Sequence, residues 1–375
     1  GVCFSNVYSQ GGMVGAMCLP SRTMLMTGRS VFHIPGRNDP PGNYPLLPKA
    51  FESAGYSTFH IGKPGNTYVA ASRAFQKTLY AEEAFGVRAE QSKRCADAVI
   101  DYIRGHRQSA PFFVYLAPPV PHDPRVAPQR FMDLYDPARL PLPRNFMPEH
   151  PFDNGELRIR DEMLAPFPRT PAVMRRHLAD YYACITCLDF HIGRILQSIE
   201  ETGRAGNTIV LSTSDQGLAV GGRHGLMGKQ NLYEHFKSPL IVTGPGIRRG
   251  RSSALVYMHD LFPTLCDLAG VRIPAGVEGS SLAPIIRGKQ RQVRDSLFAV
   301  YKDCQRMVRD SRWKLIWYPK INRFQLFDLA NDPWEIDDLA AKPLHASRLE
   351  QMKRRLAEHQ DQFEDRYAPR PEVGC

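Results

Sequence analysis

The sequence predicts an α/β protein with a mainly parallel sheet flanked by helices. Short, continuously apolar segments at 111–116, 208–214 and 240–243 are typical of strands that are buried on both faces of a sheet. Segments with apolar residues at helical spacing, at 90–104 and 175–199, alternate with these strands. Because alternating strands and helices build parallel sheets covered by helices, we expect this architecture for most of the chain.

The N-terminal part of the chain continues the same alternation. Pro20 suits the first position of a helix and Gly28 suits its end, so a short helix is predicted at 21–27. A second helix at 46–54 and a strand at 56–61 are predicted to follow it.

The last quarter of the chain has a different pattern, in which short β-prone segments follow one another before a single helix. This pattern predicts an antiparallel meander with a packed helix, and therefore a second, smaller domain. We predict domains at residues 1–290 and 291–375. The strands of the second domain are expected at 297–301, 307–309, 313–318 and 325–329, and its helix at 346–363.

Composition and charge narrow the possible partners. The 375 residues are 43% hydrophobic and 23% charged, which allows a large core. No apolar run approaches the roughly 18 residues of a membrane-spanning helix, so no membrane partner is predicted. The net charge of +10 favours acidic partners, such as a polyanionic substrate, although a solvated basic surface would give the same charge. Nucleic acid is a less favoured binding partner, because basic clusters such as 248–251 are short loops without interleaved aromatic residues.

The spacing of the eight cysteines predicts neither a zinc site nor a disulfide framework. Cys184 and Cys187 form the one close pair, and both would lie on the same face of the helix predicted at 175–199. We expect them to be small core residues. The cysteines therefore leave the redox compartment undecided.

Cys18 is the exception, because it is predicted to lie just ahead of the helix at 21–27. Backbone N–H groups and the positive end of the helix dipole favour anions at such a position. Arg22 can bring a forked cation to the same place. This segment is therefore a candidate anion site, with a buried and inert thiol as the alternative.

Polar side chains at the ends of predicted strands point to the same kind of site. Lys63, His122 and Asp215 each come at or shortly after the end of a strand, and ligands of open α/β sheets bind beyond the carboxyl ends of strands. A surface histidine and a simple Asp-x-Gly turn are the alternatives for the last two. The proline-rich stretch 118–171 is too long for a connector and is predicted to form a rim or lid.

The segment around Cys18 resembles the signature of the type I sulfatases. Residues 18–22 read Cys-Leu-Pro-Ser-Arg and residues 27–29 read Thr-Gly-Arg, which is the family's C-x-P-S-R pattern followed by T-G-R. The resemblance implies an alkaline-phosphatase-like core and a C-terminal sheet with one packed helix. It also implies that a formylglycine-generating enzyme oxidises Cys18 to formylglycine, which works as its hydrate.

The resemblance further implies roles for the residues near this segment. The hydrate of formylglycine 18 would contact a divalent cation and attack sulfur, and Arg22 would stabilise it. Asp215 and Gln216 resemble the family's second metal-binding segment, in which Gln216 is a variant whose amide oxygen can still bind a hard cation. Such oxygen ligands favour Ca²⁺, or alternatively Mg²⁺, over zinc.

Four further residues resemble family positions around the substrate. Lys229 looks like the lysine that contacts the sulfate and the leaving oxygen, and His122 like the histidine that can protonate that oxygen. Lys63 resembles the lysine that bridges nucleophile and sulfate. His224, five positions before Lys229, is a candidate substrate-binding residue, with an exposed turn residue as the alternative.

The chain departs from the family pattern in two places. Relatives place a histidine two or three residues after the lysine that Lys63 resembles, whereas here that role is vacant or falls to Asn66. Relatives also begin with a strand that ends in paired metal-binding aspartates, and no such strand precedes residues 2–8. We therefore expect the chain to be N-terminally truncated, with any leader peptide lost, and the protein to be periplasmic or secreted.

These resemblances imply a metal-dependent hydrolase of sulfate monoesters. The expected substrate is a sulfated small molecule or polysaccharide, and a sulfated carbohydrate is favoured. A phosphonate or phosphodiester hydrolase of the same superfamily is one alternative, and an inactive anion-binding relative is the other.

Overall fold

The structure is a computed structural model that describes residues 1–65, 67–80, 88–106 and 109–372. It confirms the α/β class. In these residues the helices are α1 (Cys18–Thr27), α2 (Leu47–Ser53), α3 (Val69–Arg73), α4 (Gln91–Gly105), α5 (Gln129–Met132), α6 (Pro171–Glu201), α7 (Leu261–Ala269), α8 (Ala283–Ile286) and α9 (Ala346–Gln362). The strands are β1 (Val2–Tyr8), β2 (Gly11–Gly12), β3 (Ser57–Gly62), β4 (Lys77–Tyr80), β5 (Phe112–Ala117), β6 (Val210–Thr213), β7 (Lys237–Thr243), β8 (Gly250–Tyr257), β9 (Leu297–Tyr301), β10 (Gln305–Arg309), β11 (Trp313–Tyr318) and β12 (Arg323–Asp328).

The strands of the larger part of the chain form two sheets. In the first sheet, β3 lies between β4 and β5, and both pairings are parallel. In the second sheet, β1 pairs in parallel with β8 and antiparallel with β7, which also pairs antiparallel with β6. Three of these five described pairings are parallel, as expected for a mainly parallel fold. The antiparallel β6–β7 pair arises because the chain between these strands returns as a loop with one 3₁₀ turn, without the crossover helix that a parallel pair needs.

Helix α1 begins earlier than the sequence predicts. Cys18 is its first residue and Pro20 its third, so Cys18 does not lie ahead of the helix. Pro20 is still tolerated, because the N–H groups of the first helical turn have no partner within the helix. Gly28 ends the helix as predicted, with φ 66° and its N–H donating to the Met24 carbonyl oxygen at 2.8 Å. The Cys18 side chain is therefore held at the start of a helix, where it is buried.

The long helix α6 covers the three-stranded sheet together with α4. It begins at Pro171, after Thr170, whose Oγ1 accepts the Val173 N–H at 3.4 Å. Apolar residues of both helices pack against β3 in one cluster. Cys184 and Cys187 are buried beside the short helix α5, the packing expected of small core residues. None of the described helices combines the length and the apolar character needed to cross a bilayer.

The C-terminal strands form the predicted meander. Strands β9 to β12 pair antiparallel in chain order, and α9 packs on one face of their sheet through Met352 and Leu356. The other face packs on residues from the larger part of the chain, including Tyr8, Leu226 and Phe236. The C-terminal sheet is therefore joined to the rest of the molecule by a shared apolar core.

The two-residue strand β2 adds a further connection, because it pairs in parallel with β9 as the fifth strand of this sheet. The chain then runs from β2 directly into the segment that leads to α1 and Cys18. The domain boundary at residue 290 stays a prediction, and the C-terminal sheet includes a strand from the first residues of the chain.

Candidate active site

Helix α1 and the loop after β6 meet at Cys18. The Gln216 Nε2 donates to the Cys18 Sγ at 3.2 Å. Ser21 Oγ donates to the Asp215 carbonyl oxygen at 2.6 Å, and Arg22 Nε donates to Asp215 Oδ2 at 2.9 Å. The structure therefore brings together the four residues that the sequence assigned to nucleophile and metal.

The electrostatic environment of Cys18 keeps its thiol protonated. Burial raises the pKa of the Cys18 thiol, and the Asp215 carboxylate raises it further. The cations of Lys229 and Arg22 and the hydrogen bond from Gln216 oppose this shift without reversing it. Because the thiolate is the nucleophilic form of cysteine, the unmodified thiol is poorly suited to attack.

The surroundings of the Arg22 guanidinium stabilise its positive charge. Burial by itself would lower the pKa of this guanidinium, but the Asp215 carboxylate, Tyr115 and Cys18 together outweigh it and raise the pKa. Tyr115 on β5 lies in the same electrostatic environment, with burial raising the pKa of its hydroxyl and Arg22 opposing the rise. His60, whose Nδ1 is 3.0 Å from the Tyr115 carbonyl oxygen, is neutral because burial lowers its pKa to about 4. Tyr115 and His60 were not predicted as site residues, because apolar strands carry no signal that singles them out.

The Gln216 amide has one unused polar atom. Its Nε2 is engaged by Cys18, and its Oε1 is buried without a hydrogen-bond partner. A buried and unpaired oxygen is costly, and a cation would satisfy it. Within the described ranges, no group of three or more His, Cys, Asp or Glu side chains forms a metal site. Gln216 Oε1 and the Asp215 carboxylate are two oxygen groups of the cluster around Cys18 that can bind a cation.

A second cluster joins Lys229 to His122. The Lys229 Nζ lies 3.3 Å from His122 Nε2 and 3.2 Å from Asp161 Oδ2. The Nδ1 of His122 lies 2.8 Å from the Asp123 carbonyl oxygen, an acceptor, so the Nδ1 carries a proton. Burial lowers the pKa of His122, and the positive charges of Lys229 and Lys63 lower it further. The structure therefore brings Lys229 and His122 together, and the charge of Lys63 acts on the same histidine.

Asp161 is a site residue that the sequence did not reveal. It comes from the long rim at 118–171, where no motif distinguishes it from other polar residues. Besides Lys229, its carboxylate accepts from Gln230 Nε2 at 2.9 Å and from Arg160 Nη1 at 2.8 Å. Burial would raise the pKa of the Asp161 carboxyl, but the Lys229 cation and the hydrogen bonds from Gln230 and Arg160 together lower it. The rim thus supplies a charged partner to a predicted catalytic lysine.

His224 occupies a different environment from the residues around Cys18. Its Nε2 lies 2.9 Å from Glu234 Oε2, and its ring stacks on Tyr233 with centroids 3.9 Å apart. The side chain is buried, so it is not the exposed turn residue that was the alternative. Its substrate-binding role stays a prediction without a described contact in support. Asn66, proposed for the role of a missing histidine, lies outside the described residues.

Two family models match the chain. The model described as Sulfatase matches residues 1–271, and that described as N-sulphoglucosamine sulphohydrolase, C-terminal, matches residues 222–362. The first match covers well over half of the chain. The chain therefore belongs to the sulfatase family and is a sulfuric ester hydrolase, which confirms the resemblance seen in residues 18–22.

The sequence identity to individual relatives is low, but the matches cover nearly the whole chain. The chain is 25% identical to the N-acetylglucosamine-6-O-sulfatase of Bacteroides thetaiotaomicron over 97% of this chain and 81% of the relative. A solved structure of a protein with its substrate D-glucosamine-2-N,6-O-disulfate is 22% identical, with a TM-score of 0.79 over 98% of this chain and 91% of that one. The phosphonate monoester hydrolase of Agrobacterium radiobacter is 20% identical, with a TM-score of 0.81 over 97% and 89%. At these identities the two structures confirm the alkaline-phosphatase-like fold.

Proposed function

We propose that this sulfatase removes sulfate from a sulfated carbohydrate and that its nucleophile derives from Cys18. The observation that carries the proposal is the cluster that joins Cys18 to Arg22, Asp215 and Gln216. The charge of Lys229 also acts on Cys18, where it lowers the pKa of the thiol. The sugar preference is supported by relatives whose names specify sulfated sugars, the N-acetylglucosamine-6-sulfatases of Bacteroides thetaiotaomicron and Homo sapiens.

Cys18 is proposed to act after oxidation to formylglycine by a formylglycine-generating enzyme. The raised pKa of the buried thiol supports this proposal, because an unmodified Cys18 would be a weak nucleophile. The hydrated aldehyde would supply a hydroxyl at the start of α1, next to the Arg22 guanidinium. That cation stabilises negative charge on the attacking oxygen.

The second cluster, which contains Lys229 and His122, is suited to stabilise and protonate the leaving oxygen. Lys229 is a buried cation that withdraws charge from the sulfate, and its field is strong because little solvent screens it. His122 carries one proton on Nδ1, so a second proton would sit on Nε2, beside Lys229. A bound anionic sulfate raises the pKa of His122 and favours that second proton. His122 can then donate it to the leaving oxygen.

A divalent cation fits the residues that surround Cys18. Asp215 and the unpartnered Gln216 Oε1 would hold it, and hard oxygen ligands favour Ca²⁺, or Mg²⁺ as the alternative. When bound, such an ion supplies positive charge that assists attack on sulfur. Arg22, paired with Asp215, fixes the carboxylate that would face the ion.

The test is sulfate release by the full-length protein after co-expression with a formylglycine-generating enzyme. We expect sulfate from N-acetylglucosamine-6-sulfate and from p-nitrophenyl sulfate, loss of activity in Cys18→Ala, and mass spectrometry showing formylglycine at position 18. Chelation should abolish activity, and Ca²⁺ should restore it better than Mg²⁺. Equal sulfate release by Cys18→Ala would overturn the proposal, and phosphonate cleavage without sulfate release would favour the alternative hydrolase.

The periplasmic or secreted location stays a prediction, which cell fractionation can test.

A further inference from the structure

The loop that leads to Lys229 is held by a buried carboxylate from the stretch 118–171. The side chain of Glu162 is fully buried. Its Oε2 accepts the Met227 N–H at 2.8 Å, and its Oε1 accepts the Gly228 N–H at 2.9 Å. Both oxygens of one carboxylate are therefore bonded to consecutive backbone N–H groups, immediately before the predicted catalytic lysine.

Arg169 balances the charge of Glu162 and contacts the other end of the same loop. Its Nη2 donates to Glu162 Oε2 at 2.9 Å, and its side chain is also fully buried. Its Nε donates to the Gly225 carbonyl oxygen at 3.3 Å. The guanidinium carbon lies 3.7 Å from the centroid of the Phe167 ring, which fixes the plane of the guanidinium. The ion pair is therefore bonded to both ends of the loop 225–228.

The close approach of Glu162 to the backbone depends on the glycine at residue 228. A Cβ atom at Gly228 would lie 2.6 Å from Glu162 Oε1 and 2.5 Å from Gln230 Oε1, so a larger residue would push both side chains away. Gln230 Nε2 donates to the carboxylate of Asp161, the partner of the Lys229 ammonium. A displacement at Gly228 would therefore reach Lys229 through two paths.

The pair of Glu162 and Arg169 is costly to bury. Burial raises the pKa of the Glu162 carboxyl and lowers the pKa of the Arg169 guanidinium. Because the interior opposes the charge on both groups, the pair adds little net stability. Apolar side chains of similar volume are often as stable as a buried ion pair, but they cannot accept two N–H groups. The geometry that the carboxylate imposes on the backbone explains its presence.

The same short segment also holds the side chain of Lys229. Asp161, the residue before Glu162, has its Oδ2 3.2 Å from Lys229 Nζ, and this Nζ lies 3.3 Å from His122 Nε2. Consecutive residues of the segment thus hold the backbone before Lys229 and its ammonium group. Catalysis depends steeply on such placement, since a shift of about 1 Å can cost about a hundredfold in rate.

We propose that Glu162, with Arg169 as its counter-ion, is a positioning residue that fixes the Lys229 ammonium beside His122 through the backbone of residues 227–228. This inference rests on the proposed function and makes it more specific. Glu162 is fully buried, so it acts on the substrate only through Lys229.

The pKa of His122 reports the position of Lys229 without depending on turnover. Burial, Lys229 and Lys63 lower this pKa, and Asp123 raises it. In Glu162→Gln the carboxamide keeps one acceptor oxygen and loses the other. We therefore expect the ammonium to move away and the pKa of His122 to rise by at least about 0.5. NMR titration of protein with ¹³C-labelled histidine measures this pKa, and the signal is assigned by its absence in His122→Gln.

A second variant and a matched control complete the titration. Gly228→Ala changes no charge but pushes the Glu162 carboxylate from the backbone, so the pKa of His122 should rise there too. Asp365→Asn is the control, because Asp365 is fully buried, pairs with an arginine and accepts the Tyr367 N–H at 3.1 Å. It should lose stability and keep the parent pKa. An unchanged pKa in either folded variant, or failure of both variants to fold in thermal melts, would reduce Glu162 to a structural residue.

Kinetics separates this inference from the proposed function. With p-nitrophenyl sulfate we expect kcat to fall at least about tenfold in Glu162→Gln and to keep the parent value in Asp365→Asn. If the parent protein releases no sulfate, the proposed function fails, but the titration still decides whether Glu162 positions Lys229. A raised pKa of His122 with an unchanged kcat would leave the proposed function intact and overturn the positioning role.

Discussion

At the scale of single residues, the predicted catalytic lysine Lys229 depends on a carboxylate from the stretch 118–171. A buried ammonium group is costly unless a carboxylate balances it. Asp161 provides this balance at 3.2 Å, and Gln230 and Arg160 hold its carboxylate in place. We interpret Asp161 as a positioning residue, which would act on the substrate through Lys229 and His122.

The Asp161→Asn variant tests this role. Without the carboxylate, the Lys229 charge is unbalanced and lowers the pKa of His122 further, because like charges disfavour protonation. We expect kcat to fall about tenfold and the limb of the pH–rate profile that depends on protonated His122 to move to lower pH. The measurements are kcat and kcat/KM for p-nitrophenyl sulfate, each as a function of pH.

Two matched variants complete that experiment. Asp161→Glu keeps the charge and should restore part of the rate and the position of the limb. Asp133→Asn, an exposed acid of the same rim whose carboxylate accepts from Gln129, should behave as the parent. A profile for Asp161→Asn with the parent shape and only a lower amplitude would reduce Asp161 to a structural residue.

At the scale of elements, the strand β2 connects the C-terminal sheet to the segment that leads to Cys18. Gly11 has φ 98°, and a Cβ atom at this position would lie 1.8 Å from the Val300 carbonyl oxygen. The close approach of β2 to β9 therefore requires glycine at residue 11. The glycine is needed for both its backbone conformation and its lack of a side chain.

Gly11→Ala is expected to lower the free energy of unfolding by at least about 2 kcal/mol, because it adds a backbone clash to an unfavourable φ. Gly55→Ala is the matched control, since Gly55 has φ 84° but no atom within 4 Å of a built Cβ. It should cost only about 1 kcal/mol. Urea denaturation at neutral pH measures both values. Equal decreases in the free energy of unfolding in the two variants would show that the close contact with Val300 does not affect stability.

At the scale of the whole molecule, buried neutral histidines make the fold sensitive to acid. Burial lowers the pKa of His60, His150 and His259 to about 4 each, compared with about 6.5 in an unfolded chain. Above pH 6.5 neither state binds these protons. Between pH 6.5 and about 4 the unfolded chain takes them up and the folded protein does not. Stability is therefore fully present above pH 6.5 and is lost as the pH falls toward 4.

We expect His259→Gln to make this loss less steep. One histidine contributes up to about 1.4 kcal/mol per pH unit to the slope of unfolding free energy against pH near pH 5. Removing the ring also removes its stack on Tyr257, at 4.9 Å, which lowers stability equally at all pH values. Urea unfolding between pH 4.5 and 7.5 separates the two effects. His345→Gln, at a partly exposed residue, is the control, and an unchanged slope in His259→Gln would contradict the prediction.

Several features of this molecule could be read from sequence because they depend on local chemistry. Apolar runs placed β3, β5, β6 and β7 to within a few residues, since periodicity reflects which faces are buried. The strands of the C-terminal meander were placed in the same way. The family followed from residues 18–22, because that short motif carries its own chemistry.

Only the tertiary structure decided how distant segments meet. The direction of the β6–β7 pairing depends on the path of the loop between them, and the start of α1 at Cys18 is not marked by a capping side chain. The partnership of Asp161 with Lys229 and the burial of His224 against Tyr233 depend on residues that lie far apart or in unpatterned loops. Local sequence determines which elements form and which side chains can do chemistry. Long-range packing determines which of those side chains share a site, because burial and pairing energies exist only once the chain has folded.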